Sequence, residues 1–180
     1  MRRQLLSAIV AGALLATGCG DEDMTRFEDD GIAFTHPGDW QRLREVERYT
    51  KEDDGLVAAF EGDSGIEGAT IRALAFNQER EPGTVGQYGK DAALTRPFQA
   101  RGELVQEGEY EVRGAEGAWR VVVDYRMHPN DSEEIVPARI IDILPVNGDR
   151  QYRLTVSGPK QAVDSATVDE VLESFEIVSD

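Results

Sequence analysis

The chain has 180 residues, 40% of them hydrophobic and 30% charged, which suits one globular domain with its own core and excludes a disordered chain. Lysine and arginine number 19 against 35 aspartates and glutamates, so the net charge is −16, a sign that repels phosphates and anionic headgroups and argues against a nucleic-acid partner. A single cysteine rules out an intramolecular disulfide and any zinc site built from cysteines.

That cysteine, Cys19, lies at the end of the first element. Met1-Arg2-Arg3 is a short positive start, Leu5 to Leu15 is apolar apart from Ser7 and Gly12, and Ala16, Thr17 and Gly18 are small. These are the three parts of a secretory signal peptide, here residues 1–18. The apolar run is too short to cross a bilayer as a helix, which takes about 20 residues. Ala16-Thr17-Gly18-Cys19 resembles the lipobox of bacterial lipoproteins, although Ala16 stands where that family usually has leucine. The resemblance implies cleavage after Gly18, diacylglyceryl attachment to the Cys19 sulfur, and a membrane anchor on the extracytoplasmic face. A free thiol in an oxidising compartment would be a liability, which fits a thiol consumed by lipid. Gly20 to Asp30 follows with Asp21, Glu22, Asp23, Glu28, Asp29 and Asp30, so residues 19–30 read as a lipidated acidic tether and 31–180 as a single domain.

From Gly31 the period is mostly two. "GIAFTHP" is a strand closed by Pro37, and "PGDW" is a turn delivering Trp40 into the next strand. Leu56–Phe60 and Ala69–Phe76 are further strands. Thr84 to Leu94 loses the alternation. Thr84 and Gln87 could form a capping box there, with Val85, Tyr88 and Ala92 on one face. Gly86 and Gly89 weaken that helix, and Pro97 bars its continuation. In "AWRVVVDYRM", Trp119, Val121, Val123, Tyr125 and Met127 share one face and Arg120, Asp124 and Arg126 the other, the pattern of a strand with one face on the core. Asn147-Gly148 is a hairpin signal between "ARIIDILPV" and "RQYRLTVS", with Pro145 marking a strand end. Val168, Val171, Leu172 and Phe175 fall at i, i+3, i+4 and i+7 behind Thr167-x-x-Glu170, predicting a capped amphipathic helix. The expected fold class is α+β: one antiparallel sheet of about six to eight strands with helices packed on it.

This order of elements resembles the PsbP-like fold family and, more narrowly, small bacterial lipoproteins of the LpqN/LpqT type. The residues carrying the resemblance are Gly31, Phe34, Pro37, Trp40, the hairpin at Asn147-Gly148, Tyr152 and Ser174-Phe175, within Phe27 to Val178. They are structural positions, so the resemblance implies a fold and, for function, non-enzymatic accessory or binding roles.

The sequence holds no recognisable catalytic, cofactor-binding or metal-ligating set. His36 and His128 both precede proline and read as surface loop residues. Gly62-Asp63-Ser64-Gly65 matches a serine-protease string, but Ile66 follows where that family has glycine, and the residues are those of a turn. Ser157-Gly158-Pro159-Lys160 fits S-x-x-K without the S-D-N and K-T-G partners, and Gly158-Pro159 is a breaker that ends a strand. The acidic stretches "DEDMTRFEDD" and "NDSEE" supply oxygens without the spacing of a calcium loop.

The expected role is a membrane-anchored, non-catalytic binding or accessory module of the cell envelope. Its expected partners are the membrane, through Cys19, and an envelope protein or ligand. A carrier of a lipid or other apolar ligand inside the fold is the alternative. An enzyme with an unrecognised carboxylate pair ranks below both.

Overall fold

The computed structural model describes residues 23–44, 46, 55–79 and 83–178. Its elements in chain order are β1 (Met24–Asp29), β2 (Ile32–Pro37), β3 (Gln41–Arg42), β4 (Leu56–Asp63), β5 (Thr70–Glu79), α1 (Val85–Ala100), β6 (Glu103–Tyr110), β7 (Gly117–Met127), a 3-10 turn (Pro129–Asp131), β8 (Val136–Asn147), β9 (Arg150–Pro159), α2 (Lys160–Val163), α3 (Ala166–Glu173) and β10 (Glu176–Ile177). The α+β class holds, but the strands divide between two sheets. A seven-stranded sheet runs β3-β4-β5-β9-β8-β7-β6 with every neighbour antiparallel, and a three-stranded sheet runs β1-β2-β10.

The small sheet revises the expected tether. Residues 24–29 form β1 and pair with β2 from Met24–Pro37 to Asp29–Ile32. Asp30 and Gly31 make the turn with φ of 49° and 77°. Positive φ at both central residues is the type I′ geometry that matches strand twist. Phe27 is the inward residue of β1, and its ring lies 5.3 Å from Phe34 and 5.5 Å from Phe60.

The seven-stranded sheet is covered on both faces. One face packs with the small sheet and with α2 and α3 around Phe34, Phe60, Ile143, Leu154, Val171 and Phe175. The other lies under α1, where Val121, Val123 and Leu144 meet Ala93, with Tyr88, Ala92 and Trp119 at the margin. β7 therefore buries both faces, because Ala118 and Val122 belong to the first core. The alternation in "AWRVVVDYRM" was expected to mark one buried face; the unbroken Val121-Val122-Val123 is what a doubly covered strand requires.

Several boundaries fall elsewhere than the sequence suggests. Thr84 does cap α1, its side-chain oxygen accepting the Gln87 N–H at 3.2 Å, but the helix runs through Pro97 to Ala100. Pro145 lies inside β8, where the pairing to β9 steps over Leu144 and Pro145, so the missing N–H is not required there. The hairpin turns on Gly148-Asp149, with Asn147 already paired to Arg150 and φ positive at Gly148. β9 continues through Ser157 and Gly158 to Pro159, and α2 follows at once. Ser165, not Thr167, caps α3 by accepting the Val168 N–H at 3.3 Å. Val168, Val171 and Leu172 are buried along the face that the sequence predicts.

Candidate binding surface

Gly18 and Cys19 lie outside the described residues, as does the whole expected signal segment. The other residues singled out for chemistry have structural partners. His36 is buried in β2, not exposed in a loop; its Nδ1 lies 2.7 Å from the Pro37 carbonyl and its ring 4.1 Å from Phe60. His128 is exposed, with Nδ1 3.0 Å from the Ser132 carbonyl. Ser64 donates to the Ala69 carbonyl at 2.8 Å, and Asp63 accepts the Gly65 N–H at 2.8 Å, so the GDSG string is the end of β4 and the start of the turn into β5. That turn and Asn130 line a cleft of about 440 Å³. Lys160 donates to Asp124 at 2.7 Å, and Ser157 faces Arg72 across the β5–β9 pair. Among the described residues no three His, Cys, Asp or Glu side chains gather to hold a metal ion.

A buried polar cluster pins α1 to the sheet. Asp142 on β8 and Thr155 on β9 are cross-strand partners, and Thr155 donates to Asp142 at 2.5 Å. Arg96 reaches down from α1 and bonds both oxygens of Asp142, Nε to Oδ2 at 2.6 Å and Nη2 to Oδ1 at 2.7 Å. The Asp142 side chain is 3% exposed, so a bidentate partner is what makes its charge tolerable there. Beside the helix, burial pushes the Tyr125 hydroxyl up, against the opposing charges of Arg72 and Arg96.

Because its inner side is fixed, α1 presents a defined outer side. Leu94 and Phe98, one turn apart, are 77% and 88% exposed. The helix ends at Arg101, which takes a left-handed φ of 52°, and its N–H donates to the Phe98 carbonyl at 3.3 Å. Gly102 then passes so close to the Asp124 carbonyl that no side chain would fit, and β6 begins. Among the described residues β6 is the outermost strand, paired only to β7, with an irregularity at Val105. It carries Leu104 and Val105, both exposed, among Glu103, Glu107 and Glu109. Four of the five large hydrophobic side chains that stand exposed among the described residues thus fall between positions 94 and 105. The sequence concealed this edge, because adjacent Leu104 and Val105 and then Gly108 break the alternation that marks a strand.

No protein-family model matches the chain, and no curated protein sequence matches it. Solved structures do. Cyanobacterial PsbP (CyanoP) from Synechocystis sp. PCC 6803 is similar over 89% of this chain and 96% of its own, at 18% identity and a TM-score of 0.57. LpqN of Mycobacterium tuberculosis, described as involved in cell envelope biogenesis, is similar over 87% of this chain and 91% of its own, at 12% identity and a TM-score of 0.56. The Saccharomyces cerevisiae Ran-binding protein Mog1p is similar over 87% of this chain and 97% of its own, at 15% identity and a TM-score of 0.53. At these identities the likeness establishes architecture and nothing finer. The fold is the PsbP-like α+β fold, and among the described residues β6 stands at the outer edge of its seven-stranded sheet.

Proposed function

We propose that the protein is a lipoprotein anchored to the extracytoplasmic face of the membrane through Cys19, and that its PsbP-like domain is a non-catalytic binding module of the cell envelope. The observation that carries this reading is the sequence Ala16-Thr17-Gly18-Cys19 directly after the apolar run Leu5–Leu15. Two acyl chains on one cysteine hold a protein stably where a single chain is marginal. Among the described residues no helix is long and apolar enough to cross a membrane. β1 begins at Met24, five residues beyond Cys19, so the chain between them spans at most about 17 Å. The domain would then stand close to the bilayer, with Asp21, Glu22 and Asp23 opposing direct contact with anionic headgroups. The neighbours support a binding role by analogy, since one is described as Ran-binding and another as acting in envelope biogenesis.

The test is the full chain against Cys19→Ser in a bacterial host that processes lipoproteins. The parent should partition into the detergent phase and lose residues 1–18, with a mass that shows acylation. The variant should remain unprocessed or appear as soluble protein. A Cys19→Ser protein that is processed and still held by membranes would overturn the anchor.

A further inference from the structure

We infer that the free edge of β6 forms a docking surface for an extended, basic segment of a partner protein, which would add to the sheet as an eighth strand. This inference deepens the binding-module reading by naming its surface and the chemistry of its partner.

The backbone supplies the first half of the argument. β6 spans eight residues and has one neighbour among the described residues, so alternate N–H and C=O groups along its other side face outward. Such an edge is a template for another strand, and proteins protect it with charge, bulges or short length. The opposite edge, β3, has only two residues and offers no comparable ladder. β6 is long, with one irregularity at Val105. Protection alone would place polar groups around it. Instead Leu104 and Val105 are 42% and 51% exposed. An incoming strand would find ladder partners and the apolar side chains of Leu104 and Val105 on β6 itself.

Charge selects the occupant. Residues 103–111 read Glu-Leu-Val-Gln-Glu-Gly-Glu-Tyr-Glu, four acids with no base among them. A second copy of this chain is disfavoured: antiparallel pairing of β6 with itself would set glutamates near glutamates, between molecules that each carry −16. Leu104, Glu107 and Glu109 pair with Val123, Val121 and Trp119 and so share the face of the sheet that α1 packs on. A segment alternating basic and apolar residues that turns its lysines to this face sets their charges against the glutamates and lays their apolar stems along Leu104. Rim charges of this kind speed encounter and weaken with salt.

The experiment uses the full chain and two eight-residue peptides, one alternating lysine with valine and one alternating glutamate with valine. Titration calorimetry gives affinity, and amide hydrogen exchange locates the contact. The expected result is saturable binding of the lysine peptide alone, weaker in high salt, with slowed exchange confined to β6. Glu107→Lys/Glu109→Lys and, separately, Leu104→Ser should each weaken binding by about tenfold or more. All three positions are exposed, and unchanged circular dichroism would show that the fold is intact. No binding, equal binding of the two peptides, protection elsewhere, or indifference to both variants would overturn the proposal. So would a β6-dependent dimer in sedimentation, which would assign the edge to a second copy. Failure here leaves the processing of Cys19 untouched, and failure of Cys19→Ser to release the protein leaves the peptide result standing.

Discussion

Gly89 of α1 lies flat against the indole of Trp119 on β7, so close that a Cβ at position 89 would fall inside the van der Waals contact of Trp119 Cγ, Cδ1 and Cβ. One turn fraction away, Gly86 leaves room: the nearest atom to a Cβ there is Trp119 Cζ3, at 3.7 Å. Alanine favours a helix over glycine by about 1 kcal/mol. Gly86→Ala should therefore raise stability by up to about 1 kcal/mol. Gly89→Ala should lower it, because overpacking costs about 1–3 kcal/mol and outweighs the same propensity gain. Urea denaturation of the two variants beside the parent reads the opposite signs directly, and a Gly89→Ala protein as stable as the parent would remove Trp119 as the reason for that glycine.

The same pair shows what the sequence could and could not convey. Gly86 and Gly89 count against a helix when only propensity is weighed, since their compensating partner is more than 25 positions downstream. Alternation located β2, β4, β5, β7, β8 and β9, because side-chain direction in a strand is local. Which face is covered is not local. Val121 and Val122 point in opposite directions, and only the placement of α1 and of the small sheet decides that both are buried. β1 did leave a signal: Asp30-Gly31 is a hairpin dipeptide, masked by the acids around it that read as tether. β6 left almost none. Its role as the outermost strand follows from the whole strand order, and so the docking surface emerges only from the assembled fold.

Asp142 should be among the residues most sensitive to substitution outside the apolar core. Its carboxylate is nearly inaccessible and is held by Arg96 and Thr155. Removing Arg96 strands that charge, and losses of about 3–5 kcal/mol are usual for a broken buried pair. Arg96→Met alone should lower the melting temperature by roughly 10 °C. Arg96→Met combined with Asp142→Leu should recover most of the loss, because no buried charge is left unpaired. Scanning calorimetry of the two single variants and the double one measures the coupling. A double variant as unstable as the sum of the singles would show that packing, not the charge pair, sets the cost.

The β8–β9 turn offers a milder change. Gly148 has φ of +58°, and nothing lies within 4 Å of the position a Cβ would take. The cost of Gly148→Ala is therefore backbone strain alone, about 1 kcal/mol. Gly148→Asn should be tolerated better, since asparagine enters the left-handed region more readily. Melting temperatures in the order glycine, asparagine, alanine would bear this out, and alanine equal to glycine would contradict it.

Acid should unfold the protein partly through Glu176, which ties the small sheet together. Its carboxylate meets Arg26 of β1 at 2.7 Å and Arg113 at 3.0 Å, while its backbone pairs with Ala33 of β2. The hydrogen bond from Arg26 holds this carboxyl below its ordinary value of 4.5, against the opposing effect of burial and with help from Arg113. Asp124 is lowered in the same way, by Arg139 first and then Lys160. A carboxyl that is more acidic in the folded state than in the unfolded chain adds stability above its unfolded value, and that stability is lost as pH falls through the folded value. Stability should therefore be flat above about pH 5 and decline below the ordinary glutamate value. Glu176→Gln should cost stability at pH 7 and make the acid decline shallower, so that variant and parent converge as pH falls. Urea midpoints measured from pH 7 down to pH 3 test both features. Parallel curves across that range would mean that Glu176 contributes through packing and not through its charge.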